Sequence, residues 1–352
     1  MNVLIDLHHY DLAYSLHLLF EKRLGYLVHR PVGIEWYEQG YWNVFPHPDT
    51  AQQYLGIDQA NKRPKDIHGN ELPDDFCLNL NYYMEDGIYY CADSTKEGEF
   101  QRGVTLDKFK EMKFDILISS IPQHIQPFNK LKQLYQPQAK HVFQVGNAWG
   151  HLPGVQNILA STAPFSTPPE INACFYHQEF DLSQFSYDKG EDVKKVVHSY
   201  IHYMREKEAM NQVSSLLSDF EFRSFGAGME DTIPRTNDEA SAFKRAGFTW
   251  HYKPEGDGYG YSLHRAFATG TIPIVWASQY RGKLAEQLML PGQNCINADG
   301  KSPVQIANEL RSIVDNPSRY FEMREASYRR FQEVVDFDKE EQVIREFLGG
   351  LK

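Results

Sequence analysis

Residues 248 to 275 constrain the fold more than any other stretch of the chain. Phe248 to Tyr252 reads as a short strand, and Gly256, Gly258 and Gly260 follow it closely. Leu263, Ala266 and Phe267 then recur at helical spacing, Gly270 stops that run, and Pro273 leads into the β-branched pair Ile274 and Val275. The pattern predicts strand, tight turn, helix and buried strand. Such glycines can serve close packing alone. A glycine-rich turn feeding a helix N-terminus also presents unpaired backbone N–H groups and about half a positive charge, which suits a phosphate.

The segment resembles the donor-site motif of GT-B glycosyltransferases, which transfer sugars from nucleotide diphosphates. That motif runs acid-Gly-aromatic-Gly, four residues, Glu-Ala, then a small-residue turn ending Gly-x-Pro-Val. Here it reads Asp257-Gly258-Tyr259-Gly260, Tyr261 to His264, Arg265-Ala266, then Gly270 to Val275 with Pro273 inside. Arg265 stands where the family usually has a glutamate that binds the nucleotide ribose. An arginine there could meet phosphate or a carboxylated sugar instead, since its planar fork suits both. The His264-Arg265-Ala266 variant is similar to phage and bacterial members of the group.

The resemblance extends over residues 195 to about 315. Lys195 to Ile201, followed by Arg205 and Lys207, is similar to the opening strand of the donor domain and its diphosphate-contacting basic pair. Phe222 to Gly228 resembles the next strand and its small-residue turn. The implied architecture is α/β, with two Rossmann-like domains facing across a cleft. The implied co-substrate is a nucleotide sugar, UDP-linked, with no further cofactor and no metal. The Tyr259, Gly260 and Tyr261 amides, the Ser262 hydroxyl, Arg205 and Lys207 would hold the diphosphate, and a side chain at Gly260 would block it. Asp257 would accept hydrogen bonds from donor-sugar hydroxyls, or else cap the helix it precedes.

A length of 352 residues suits two domains. The apolar and charged fractions, 41% and 24%, are those of a soluble globular protein. No run approaches the length of a membrane span, and no basic region with an apolar stretch and cleavage site opens the chain. Cys77, Cys91, Cys174 and Cys295 are scattered, which reads as reduced thiols in a cytoplasmic protein. Residues 1–180 carry 14 Lys and Arg against 21 Asp and Glu, a net −7, and the remainder 22 against 26, a net −4. A polyanionic acceptor would be repelled at long range by the first half.

Along the chain, strands are expected at Val3–Ile5, Tyr26–Arg30, Asp115–Ile121 and His141–Val145, and a last first-domain strand at Asn172–Phe180. Helices are expected from Leu12 to Gly25, near Leu106–Met112 and over Gln126–Tyr135. Periodicity fails from 36 to 103, save a hairpin turn at Glu85-Asp86-Gly87. A polar linker, Asp181 to Asp192, precedes strands at Val196–Ile201, Phe220–Phe225 and Asn294–Asn297 and helices at Glu206–Leu217, Glu239–Ala246, Arg281–Leu288 and Pro303–Asp315. This alternation predicts an acceptor-side domain over 1–182, a donor domain over 183–335 and a final helix, 336–352, that packs back on the first domain.

Ligands bind beyond the carboxyl ends of strands in such sheets. First-domain candidates are therefore His8, His9 and Asp11 after the first strand, Gln123 and His124 after the third, and Asn147, Trp149 and His151 after the fourth. His8 or His9 with Asp11 could act as a general base on an acceptor hydroxyl. In retaining GT-B members a histidine near the position of His124 binds the donor sugar. Adjacent histidines also invite a metal, but no third ligand has suitable spacing. The one Asp-x-Asp, Asp336-Phe-Asp338, lies in the helical tail, which disfavours a metal-dependent transferase of the other common fold.

The expected activity is metal-independent transfer of a sugar from a nucleotide diphosphate to an acceptor hydroxyl. A soluble saccharide or small molecule is the preferred acceptor. DNA bearing a modified hydroxymethylpyrimidine is the alternative, because some phage members glycosylate such bases. No basic run with interleaved aromatics favours duplex contact, and no basic amphipathic helix favours a membrane. A nucleotide-sugar epimerase, or a non-catalytic sugar-binding module of the same architecture, are the remaining classes.

Overall fold

The computed structural model describes residues 1–6, 10–31, 36, 82–86, 88–92, 100–146, 154–162, 168–201, 207–226, 229, 236–254 and 256–352. The chain divides into two compact units. Unit 1 comprises Met1–Ala160, Phe165–Glu179 and Glu340–Lys352; unit 2 comprises Ser161–Pro164 and Phe180–Lys339.

Unit 1 is built on one nine-stranded sheet in the order β3-β4-β5-β2-β1-β6-β7-β8-β9. Its strands are β1 (Asn2–Ile5), β2 (Leu27–Pro31), β3 (Tyr82–Glu85), β4 (Ile88–Ala92), β5 (Phe100–Val104), β6 (Ile116–Ser119), β7 (Lys140–Val145), β8 (Asn157–Ala160) and β9 (Asn172–Phe175). All pairings are parallel except those of β4, which is antiparallel to both β3 and β5. Val3 pairs with Val28 on one side and Ile116 on the other, so β1 is central. Central parallel strands are covered on both faces, which is why Val3, Leu4, Ile5 and all of Ile116–Ser119 are buried. The helices are α1 (Tyr10–His17, continued by a π-helical turn to Arg23), α2 (Leu106–Glu111) and α3 (Pro122–Tyr135).

Residues 340–352 complete the unit 1 core. Ile344, Phe347 and Leu348 pack with Leu12, Leu16 and Phe20. Both the backbone N–H and the imidazole of His177 meet the Glu340 carboxylate, and Arg23 pairs with Glu179 at 2.6 Å.

Unit 2 carries a five-stranded, all-parallel sheet in the order β11-β10-β12-β13-β14. The strands are β10 (Val196–Ser199), β11 (Glu221–Ser224), β12 (Phe248–His251), β13 (Ile272–Val275) and β14 (Ile296–Asn297). The helices are α4 (Lys207–Ser215), α5 (Thr236–Arg245), α6 (Tyr261–Ala268), α7 (Pro303–Val314) and α8 (Pro317–Val334); α9 (Phe337–Gly349) runs on into unit 1. Successive strand residues point to opposite faces. Ile272 and Ile274 accordingly join one apolar cluster, with Trp250, Leu310 and Tyr320, while Val275 joins the other, with Leu263 and Phe267.

Several elements differ from the sequence expectation. The strand at Asn157–Ala160 has no counterpart in it. The hairpin expected around Glu85 and Asp86 forms between β3 and β4, but with β5 it joins the sheet, which an irregular insertion over 36–103 did not anticipate. Strand Asn172–Phe180 stops at Phe175, and Arg281–Leu288 is not α-helical but contains a 3₁₀ turn at Leu284–Leu288. The polar run 181–192 is held on unit 2 rather than solvated. Phe185 is buried, Tyr187 stacks on Tyr328 at 4.8 Å, and Arg324 donates to the carbonyls of Asp188 and Lys189.

Three buried imidazoles make the fold acid-sensitive. Burial pushes His29 and His141 in unit 1, and His198 in unit 2, down to about 4 from 6.5. Above the unfolded value both states are neutral. Below it the unfolded chain takes up protons that the folded chain refuses, so stability falls by about 1.4 kcal/mol per pH unit for each histidine until the folded value is reached. Urea unfolding at about pH 7 and about pH 5 should show unit 1, with two such residues, losing about twice as much as unit 2. Equal stability at the two pH values would contradict this.

Candidate functional site

In unit 2 the strand order reverses between β10 and β12, because the chain passes from β10 outward to β11 and then returns to β12 on the other side. Sheets of this kind bind ligands in the crevice at the carboxyl ends of the strands flanking such a reversal. Two helices rise from that edge. Lys207 begins α4 on the β10 side, and the turn 252–260 leads from β12 into α6.

The turn is shaped by two left-handed glycines. Gly256 has φ +67°, and a Cβ there would lie 2.4 Å from the Gln279 carbonyl oxygen and 2.9 Å from Lys283 Nζ. Only glycine allows that approach. Gly260, with φ 81° and ψ 58°, is the N-cap of α6 and carries no side-chain cap. Its carbonyl accepts the first helical bonds, from the N–H groups of Leu263 and His264. The amides of Tyr261 and Ser262 therefore precede the helical ladder, where an anion can meet them. A Cβ on residue 260 would face Asp257 Cβ, Leu263 and Ala285 at 3.6–3.8 Å. It would lie against protein, so backbone conformation, rather than obstruction of a ligand, makes glycine necessary here.

Asp257 is the charged centre of the turn. Its Oδ2 meets His251 Nε2 at 2.9 Å, and its Oδ1 pairs with Lys253 Nζ. Burial opposes the charge on this carboxyl, but His251 and Lys253 outweigh it and hold the group well below the usual carboxylate range. The two partners differ in what they contribute. The His251 side chain is 2% exposed and that of Lys253 48%. A hydrogen bond to a charged group contributes about 1.5–3 kcal/mol, whereas an exposed ion pair contributes about 0–1 kcal/mol. His251 fixes the carboxylate. Lys253 is the exchangeable partner. Behind them Tyr280 is fully buried, and burial, with the Asp257 charge, keeps its phenol protonated.

Tyr259 is 3% exposed and stacks on His264 at 3.9 Å, while His264 Nδ1 lies 3.0 Å from the Gly260 carbonyl oxygen. The stack ties the turn to its helix. Arg265 is 2% exposed; its Nη1 lies 2.8 and 2.9 Å from the two carboxylate oxygens of Glu239, and its guanidinium sits 4.8 Å from the Phe185 ring and 4.9 Å from that of Tyr261. Arg265 on α6 thus binds a glutamate from α5.

Unit 1 has its own reversal, between β1 and β6. At the carboxyl ends of those strands the Asp6 carboxylate accepts from the Ser120 N–H at 2.6 Å and from the Ser120 hydroxyl, and meets His124 Nδ1 at 2.9 Å. His124 is fully buried in the first turn of α3, whereas Gln123 beside it is exposed.

The structure brings Asp257, Gly258, Tyr259, Gly260, Tyr261 and Ser262 together in one turn, with Arg265 behind it. His8, His9, Asn147, Trp149, His151 and Arg205 lie outside the described residues, as does the side chain of Asp11. Sequence reading did not single out Asp6, Ser120, Glu239, His251 or Lys253. An acid directly after the end of a central strand, as at Asp6, is the one signal that would have found any of them. Among the described residues no group of three or more His, Cys, Asp or Glu is placed to hold a metal ion, and no helix is long and apolar enough to cross a membrane.

No protein-family model matches the sequence, and no curated protein matches it. Solved structures do. Anabaena HepE in complex with UDP and glucose is 9% identical with a TM-score of 0.62, covering 100% of both chains. An alpha-glucosyltransferase in complex with UDP and a 13-mer DNA containing an HMU base is 11% identical with a TM-score of 0.60, covering 99% of each chain. S. aureus TarM in complex with Fondaparinux, alpha-GlcNAc-glycerol and UDP is 9% identical, with a TM-score of 0.60 and the same coverage. At this identity the likeness speaks for the fold: the chain has the two-unit α/β fold of GT-B glycosyltransferases over its whole length.

Proposed function

We propose that the protein is a glycosyltransferase that moves a sugar from a nucleotide diphosphate, UDP-linked, to a hydroxyl of an acceptor. The observation that carries the proposal is the left-handed Gly260 cap, which starts α6 just beyond the carboxyl end of β12, a strand flanking the switch point of unit 2. Breaking a sugar–phosphate bond leaves growing negative charge on the diphosphate. Donors already in place when that charge develops lower the barrier most. The Tyr261 and Ser262 amides, the Ser262 hydroxyl, Lys207 and Arg205 are the groups assigned to it, and the reading needs no metal. Asp257 accepts from donor-sugar hydroxyls. His8, His9 and Asp11 are the unit 1 candidates for the base.

A saccharide or small-molecule acceptor is the first reading, given the net −7 of residues 1–180. DNA is the second, supported by the likeness to a solved glucosyltransferase whose complex contains it. A thermal-shift panel of nucleotides and nucleotide sugars tests the donor assignment. UDP and a UDP-sugar at a hundred times their dissociation constants should add about 2.7 kcal/mol of stability. Silence with every nucleotide diphosphate would remove the donor site. A transferase then releases UDP quickly only when an acceptor is added, whereas an epimerase converts the donor without one.

A further inference from the structure

Lys253 stands outside every role assigned so far, although it lies at the carboxyl end of β12 in the turn that leads to the α6 amides. Its ammonium pairs with Asp257 Oδ1, while the other oxygen of the same carboxylate is held by His251. Lys283 Nζ also lies close against Gly256. An unneutralised carboxylate at this place would repel a diphosphate, and an ammonium bound to it is cancelled for the same purpose. If the ammonium changes partner it meets the diphosphate directly, and the carboxylate it leaves keeps its bond to His251.

We infer that Lys253 is a donor-binding residue, held on Asp257 and handed to the diphosphate when the nucleotide sugar binds. The exchange needs no backbone movement, because the lysine side chain is half-exposed and flexible whereas His251 is buried and keeps Oδ2. It also couples the two halves of the donor. Once the ammonium leaves, Oδ1 is open to a sugar hydroxyl, so diphosphate capture prepares sugar recognition. The assignment rests on the nucleotide-sugar reading above, and its signature is a pair of opposite effects at two bonded residues.

The test is calorimetric titration of Lys253→Met and Asp257→Asn with UDP and with uridine. Lys253→Met should weaken UDP about tenfold, the loss of one charge-assisted contact, and leave uridine unchanged. Asp257→Asn should tighten UDP several-fold while weakening discrimination between UDP-glucose and UDP. Lys253→Arg should keep most of the affinity. If the pair only staples the turn, both variants weaken UDP alike, and that result overturns the inference. So does a Lys253→Met protein that binds UDP normally. A wild-type protein that binds neither UDP nor UDP-glucose would instead overturn the donor site itself. Melting temperatures without nucleotide separate a folding defect from a binding one.

Discussion

Gly260→Val should remove UDP-dependent stabilisation altogether, while Gly260→Asn should keep most of it. The residue sits at φ 81°, and a β-branched side chain in that region is a genuine outlier costing on the order of 1–3 kcal/mol. The turn relieves the strain by leaving the left-handed region, and the amides of Tyr261 and Ser262 lose their aim. Asparagine visits this region readily, and the nearest atoms to a Cβ there are at ordinary contact distance, 3.6 Å or more. Thermal-shift titration with UDP reads both variants directly. A valine protein that binds normally, or a folded asparagine protein that does not, would show that the cap is not what orients the amides.

Glu239→Ala should cost unit 2 about 3 kcal/mol. Removing one partner of a buried ion pair costs about 3–5 kcal/mol, because the remaining charge loses that compensation while staying buried. The lower end applies since the Glu239 side chain is 18% exposed and the rings of Phe185 and Tyr261 still face the guanidinium. Removing both charges together, as Arg265→Met with Glu239→Gln, should recover most of the loss, as apolar replacements of buried pairs commonly do. Denaturant unfolding measures both proteins. A single alanine variant that loses less than about 1 kcal/mol would mean that the Glu239 bonds contribute no more than an exposed pair.

The βαβ alternation was legible because the central strands are short runs rich in large apolar residues, as at Val3–Ile5, Ile116–Ile118 and Phe248–Trp250, all buried. Strand Asn157–Ala160 was not. It spans four residues, opens with a polar one, and owes its position to its β7 and β9 neighbours rather than to its own pattern. Leu284–Leu288 carries leucine spacing that suits an α-helix, yet Gly282 and Pro291 bracket a segment too short for more than a 3₁₀ turn. The glycine turn before α6 was legible because its signals are local: glycines, an acid and a helix start within nine residues of sequence. Partners across the fold were not. Arg265 and Glu239 are 26 residues apart, and Asp6 and His124 are 118 apart. Those pairs exist only once the sheets have formed.

Unit 1 closes over residues 340–352, whose Ile344 and Phe347 lie among side chains from the first twenty positions, while unit 2 is drawn from one nearly continuous stretch of chain. During synthesis the later unit therefore holds all of its sequence before the earlier one does. The opening segments must wait, with part of their apolar surface uncovered, until the last helix emerges to seal them. Their window of exposure to chaperones or to self-association is set by the time needed to make everything in between.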